Sequence, residues 1–181
     1  MKGLIVLSNQ MEDVEALGTR ALLRRAGLDV IGITFESSLE ITTAFGLHIK
    51  ADQFGSKVSY DDYDFVVIPG GRYVALTIDQ DIEIQKIVKH FNLNQKLVAA
   101  ICAGPRFLGR AGILDGKSYT AFTGSEIDMP KGHYLPHKKA YRDQNIVTAR
   151  GAGAIYEFAY EIVQYLLGED KAKHLLDNIL F

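Results

Sequence analysis

Apolar residues fall into two patterns along this chain, and their alternation predicts the fold. Short runs with few polar interruptions, Gly3 to Ser8, Asp64 to Pro69, Lys96 to Ile101 and Asn145 to Ala149, have the length and density of strands buried on both faces. Leu28 to Phe35 is a further strand, carrying Val30, Ile31 and Ile33. Between these runs the apolar positions recur at helical spacing. Met11 to Ala26 has a stripe of Val14, Leu17, Ala21, Leu22 and Ala26, closed by Gly27. Ile78 to Phe91 repeats the pattern through Ile82, Ile84, Ile87 and Val88, and Phe107 to Ala111 makes a short helix. Ile155 to Leu167 and Glu169 to Phe181 complete the set, with Phe158, Ile162, Val163, Leu175 and Ile179 on their buried faces. Strand, helix, strand in this order is the βαβ unit, so the spacing predicts an α/β domain with a mostly parallel central sheet and right-handed crossovers.

Other stretches carry weaker patterns. Ile41 to Ala44 and Leu47 to Ala51 predict a hairpin around Phe45-Gly46 beside the main sheet, and Ser118 to Phe122 another strand. Thr123 to Gln144 is polar, contains Tyr, Pro and His, and is expected to run over the surface. No repeat, low-complexity segment or linker divides the chain, so residues 1–181 are expected to form one domain.

Composition narrows the function classes. Hydrophobic residues are 48% and charged residues 23%, the balance of a globular protein, and the formal net charge of -2 is spread without a basic stripe. Nucleic acid is therefore not an expected partner. No apolar run reaches the length of a membrane span, and Met1-Lys2 leads straight into a first strand rather than a signal peptide. A single cysteine excludes an intramolecular disulfide framework, which makes a reducing cytoplasm the expected compartment. The five histidines show no metal-ligand spacing, because Pro136 separates His133 from His137, and no metal site is expected.

That single cysteine sits where the chain turns most sharply. Leu97 to Ile101 ends at Cys102, followed at once by Ala103-Gly104-Pro105 and a helix. A lone cysteine can be a small buried hydrophobe. Strand, nucleophile, small residues and helix is also the pattern of a nucleophile elbow, which forces the side chain out at the carboxyl edge of the sheet. Helix-terminal amides there would favour thiolate. Pro69-Gly70-Gly71 is either an ordinary strand-to-helix turn or a source of amides for a developing oxyanion. Glu12 and Asp13 complement a helix dipole. Glu15 lies further in, and a carboxyl group buried there would have a raised pKa and could remain protonated as a donor. Arg150-Gly151-Ala152-Gly153 lacks the third glycine of a dinucleotide fingerprint and reads as a tight, closely packed turn.

Taken together, Ala100-Ile101-Cys102-Ala103-Gly104-Pro105, Ile68-Pro69-Gly70-Gly71, Arg24-Arg25-Ala26-Gly27, Gly132-His133-Tyr134 and Arg150-Gly151-Ala152-Gly153 with Glu157-Phe158-Ala159 resemble the DJ-one/ThiJ/PfpI superfamily, in family order over nearly the whole chain. The resemblance implies a flavodoxin-like three-layer sandwich, a homodimer, Cys102 as nucleophile and Glu15 as its carboxyl partner. It also implies an anion pocket of Gly70, Gly71 and the Ala103 amide. Ala103 stands where peptidase-like members have histidine, which removes the proteolytic dyad. Ala121 and Phe45 stand where the DJ-one branch often has a histidine and an arginine. The activity this implies is cofactor-free conversion of small reactive carbonyls, glyoxalase- or deglycase-like, with methylglyoxal going to lactate through Cys102 and Glu15. The alternative is an oxidative-stress sensor or protective protein using a Cys102 sulfinate. A cysteine peptidase is the least expected.

Overall fold

The computed structural model describes residues 1–181. In chain order, β1 (Lys2–Val6) leads through a π-helical turn (Val14–Gly18) into α1 (Thr19–Arg25), then β2 (Asp29–Thr34). The hairpin β3 (Glu40–Thr42) and β4 (His48–Lys50) follows, with the short β5 (Gln53–Phe54) and then β6 (Phe65–Ile68). Next come α2 (Arg72–Thr77), α3 (Ile82–Leu93), β7 (Leu97–Ile101) and α4 (Pro105–Arg110). β8 (Ser118–Tyr119), β9 (His133–Tyr134), β10 (Ala140–Asp143), β11 (Ile146–Ala149), α5 (Ile155–Leu167) and α6 (Glu169–Asn178) complete the chain.

Seven strands form the main sheet in the order β10-β11-β7-β6-β1-β2-β5. All neighbours are parallel except β10 with β11. The order β2-β1-β6-β7-β11 within it is that of flavodoxin-like sheets. Every residue of β6 and β7 is fully buried, as continuous apolar runs demand in a sheet covered on both faces. One cover packs α1, α5 and α6 together and the other packs α3 against α4, giving three layers. Phe158 lies fully buried on α5. Phe158→Ala is expected to cost about 3–5 kcal/mol in a urea unfolding titration, from lost burial and the cavity left behind.

The chain departs from its hydrophobic pattern at defined places. Ile78 to Phe91 is not one helix: Asp81 caps α3, its carboxylate accepting from the Glu83 and Ile84 amides at 3.0 and 3.1 Å, and the chain breaks before it. Ser118 to Phe122 shortens to β8, which pairs with β9 outside the main sheet. The expected surface excursion contributes β10, an edge strand of that sheet. Its apolar content is too low to announce a strand, because only one side of an edge strand needs burial. The hairpin forms as expected, β3 antiparallel to β4.

Candidate active site

The carboxyl ends of four adjacent strands, β1, β6, β7 and β11, deliver the site. Register explains the meeting. Ile68 pairs with Ala100 on one side of β7, and Ala149 pairs with Ile101 on the other. Two residues beyond Ile68 and Ala100 the chain reaches Gly70 and Cys102, which therefore stand side by side. A Cβ on Gly70 would lie 2.7 Å from the Cβ of Cys102 and 2.6 Å from Oε2 of Glu15. No side chain fits there.

Cys102 occupies a left-handed backbone conformation, φ 62°, rare for a residue with a Cβ. Its surroundings hold it: its N–H donates to the Ala149 carbonyl at 2.8 Å, and its own carbonyl accepts from the Phe122 amide at 2.8 Å. Pro105 opens α4 in the first-turn position where a missing N–H leaves nothing unsatisfied. This is the predicted elbow. Cys102 is partly exposed.

Glu15 reaches the sulfur from the π-helical turn. Such widened turns recur at functional sites. Here the turn shifts the register of the predicted helix, so that Glu15 and Ala16 point inward while Val14, expected in the buried stripe, is 46% exposed. Glu15 itself is 1% exposed. Its Oε2 accepts from the Gly70 amide at 2.9 Å, its carboxyl group also meets the Ala152 amide, and it shares a hydrogen bond with Cys102. Burial pushes its pKa up to about 7, and the neighbouring charge of Glu12 acts in the same direction, against the hydrogen bonds from Cys102, Gly70 and Ala152. Glu12 caps the turn, accepting from the Glu15 N–H at 2.6 Å. Asp13 does not simply complement a dipole: it ties the hairpin down, accepting from the Thr43 hydroxyl at 2.6 Å and the Phe45 amide at 3.3 Å.

Two expectations about this site need correction. The helix-terminal amides do not lower the thiol pKa on balance. Burial raises it, and so do the charge of the Glu15 carboxylate and the hydrogen bond to it; only the Ala103 amide pulls the other way. The pair Glu15–Cys102 therefore holds one negative charge as a unit, and sulfur carries it only while the proton sits on Glu15. Gly70 is in the site, but its amide serves Glu15 rather than an oxyanion. Gly71 (φ 123°) lies so close to the Gln10–Glu12 backbone that a Cβ would stand 2.5 Å from the Glu12 nitrogen. Its amide takes no part in holding Glu15. The Ala103 amide is directed at the sulfur.

Pattern reading missed two contributors. Ala152, from the turn after β11, supplies an amide to Glu15. The one signal for it was a glycine-flanked turn closing a strand that neighbours β7. Tyr73 is buried, and its hydroxyl donates to the Pro69 carbonyl at 2.7 Å, bracing the turn that carries Gly70. Ala121 is buried close by, and Phe45, 77% exposed, stands in the hairpin turn.

The whole arrangement can be compared with known proteins. The model of the DJ-1/PfpI family matches residues 1–165. The chain belongs to that family. Protein dj-1beta of Drosophila melanogaster is 28% identical over 98% of this chain and 95% of its own length. The crystal structure of that DJ-1beta superposes with a TM-score of 0.91 over 99% of this chain and 97% of that one. "Deglycase PfpI" of Pyrococcus furiosus is 32% identical over 92% of this chain and 99% of the relative. DJ-1 homologs A and B of Arabidopsis thaliana are longer, and the chain spans 46% and 39% of them. No helix of this DJ-1/PfpI protein is long and apolar enough to cross a membrane.

The Gly70 contacts make a direct prediction. Gly70→Ala is expected to displace Glu15 or the elbow, slowing Cys102 alkylation by iodoacetamide at least about tenfold and costing about 1–3 kcal/mol of stability through overpacking. Intact mass against time and a denaturant titration check both parts.

Proposed function

We propose that this DJ-1/PfpI protein converts small 2-oxo aldehydes, methylglyoxal among them, to 2-hydroxy acids, using Cys102 as nucleophile and Glu15 as the proton carrier. The observation that supports this most is the hydrogen bond between the Cys102 sulfur and a buried carboxyl group whose pKa lies near 7. A group that holds and releases a proton at working pH, in contact with the nucleophile, is suited to general acid–base work. The name borne by the Pyrococcus furiosus relative, a deglycase, is consistent with carbonyl adducts as substrates.

In the reactive arrangement of the pair the proton is on Glu15 and the charge on sulfur. Sulfur adds to the aldehyde carbon, and the carbonyl oxygen takes the Glu15 proton, giving a hemithioacetal. The Glu15 carboxylate then removes the hydrogen from that carbon, and the charge passes to the neighbouring oxygen as an enediolate. The Ala103 amide, directed at the sulfur, stabilises that charge, with Gly71 proposed as a second donor, while Gly70 and Ala152 keep the carboxyl group aimed. Glu15 returns the proton to the second carbon and the hydroxyl proton on the first carbon passes to the neighbouring oxygen, leaving a thioester of the hydroxy acid. Water cleaves the thioester and restores the thiol. The sum is methylglyoxal plus water to lactate, with no oxidant or reductant.

The test is methylglyoxal consumption by the purified protein with lactate formed in equal amount. Lactate no faster than in buffer alone would overturn the proposal. A second reading, a sulfinate-forming sensor, draws on the same protonated Glu15, which would donate to a sulfinate oxygen after peroxide supplied both oxygens. It requires a Cys102 mass gain of two oxygens that Glu15→Gln diminishes.

A further inference from the structure

The turn after β11 carries Arg150 as well as the Ala152 amide that holds Glu15. A groove of about 400 Å³ is lined by Ala121, Phe122, Thr123, Pro136, Arg150 and residues 151–154, one layer of backbone away from Cys102 and Glu15. Its walls are the immediate partners of the reacting residues. Phe122 donates its amide to the Cys102 carbonyl, Ala149 before Arg150 accepts from the Cys102 amide, and Ala152 donates to Glu15. Arg150 is the one charged residue lining it. Arg25, Arg72 and Arg150 are the arginines without a carboxylate partner, and of these only Arg150, which is exposed, lines the groove. Its backbone is fixed, the N–H donating to the Lys139 carbonyl at 2.9 Å. The groove is thus small, uncharged along its length and cationic at one position.

We infer that this groove holds the non-reacting arm of the substrate and that Arg150 receives a carboxylate at the end of that arm. The substrate class is then 2-oxo aldehydes with a carboxylate tail, which rests on the function proposed above. A guanidinium presents paired donors that match a planar carboxylate, and an uncharged groove leaves that attraction unopposed. Arg150 is a specificity-determining residue in this arrangement. It touches the tail, not the reacting carbon, so its effect falls on binding. Ala121 is a small residue of the groove wall, where a larger side chain would take up room.

Two probes of nearly the same size separate charge from reactivity. Cys102 alkylation rates are measured with iodoacetate and iodoacetamide for wild type, Arg150→Gln and Arg150→Lys, each normalised to a free small thiol. The iodoacetate-to-iodoacetamide ratio is expected to exceed that of the small thiol, to fall about tenfold in Arg150→Gln, to be largely kept in Arg150→Lys, and to shrink with added salt. The matching kinetic result is a KM for 4,5-dioxopentanoate raised about tenfold relative to that for methylglyoxal in Arg150→Gln. An unchanged ratio in Arg150→Gln, or a ratio in wild type no higher than that of the small thiol, overturns the inference. Alkylation does not depend on turnover. An Arg150-dependent ratio in a protein that converts neither aldehyde removes the enzymatic reading and keeps the anion site; turnover with an unchanged ratio does the reverse.

Discussion

Replacing Cys102 by serine is expected to lower methylglyoxal conversion at least about a thousandfold, the scale on which loss of an activated nucleophile removes catalysis. A serine hydroxyl holds its proton far more tightly than a thiol, so transfer to a carboxylate of pKa about 7 leaves almost no nucleophile. The substitution keeps the shape of the elbow, because serine tolerates the same φ of 62° and the backbone bonds to Ala149 and Phe122 do not involve the side chain. The lost rate therefore reports chemistry and not folding, which an unchanged near-UV spectrum would verify. Lactate assayed enzymatically over an hour is the readout. Conversion within tenfold of wild type would show that sulfur forms no covalent intermediate.

Glu15→Gln should change two pH profiles at once. In the wild type the first proton leaves the coupled pair near the Glu15 pKa of about 7. Cys102 alkylation by iodoacetamide should then rise with pH around that midpoint rather than around the ordinary thiol value of about 8.5. Glutamine cannot take the thiol proton, so burial becomes the leading influence on the sulfur, and the midpoint should move to or above the ordinary thiol range. Reactivity at pH 7 then falls by about ten- to a hundredfold. A midpoint unmoved by the substitution would dissolve the pair.

The same substitution bears on stability, with the sign set by the direction of the shift. An acid whose folded pKa is raised from 4.5 to about 7 keeps its proton in the folded chain after the unfolded chain has lost it. Its favourable contribution is complete below pH 4.5 and is lost as pH rises through about 7, a loss of about 3 kcal/mol. Glu15→Gln carries no such loss. Its stability relative to wild type should therefore increase between pH 5 and pH 8, measured by urea titration at each pH. A constant difference would mean that Glu15 is ionised in the fold at pH 5.

The fold was largely legible because burial on both faces leaves its mark on every residue of a strand. The β6 and β7 runs need no partner to be recognised, since only a covered parallel sheet sustains such continuous apolarity. Cys102 was legible as an elbow for a local reason too: a sharp turn between strand and helix requires small residues and tolerates proline at the first helical position. By itself the sequence determined the βαβ order, the strand ends at which chemistry could gather, the elbow, and the family to which the motifs belong. β10 escaped because a half-covered edge strand can be polar. The break before α3 escaped because a cap at Asp81 competes locally with an unbroken apolar stripe.

The tertiary structure decided what the site residues do to one another. Gly70 meets Glu15 from 55 positions away, and Ala152 reaches it from the far side of β7, contacts that no spacing along the chain encodes. A wide helical turn, invisible in the hydrophobic period, turned Glu15 inward and Val14 outward. Whether the cysteine carries a free charge or shares one is set by how much water the fold removes from both groups. Desolvation belongs to the assembled site: Glu15 is 1% exposed once the turns bearing Gly70, Cys102 and Ala152 have closed around it.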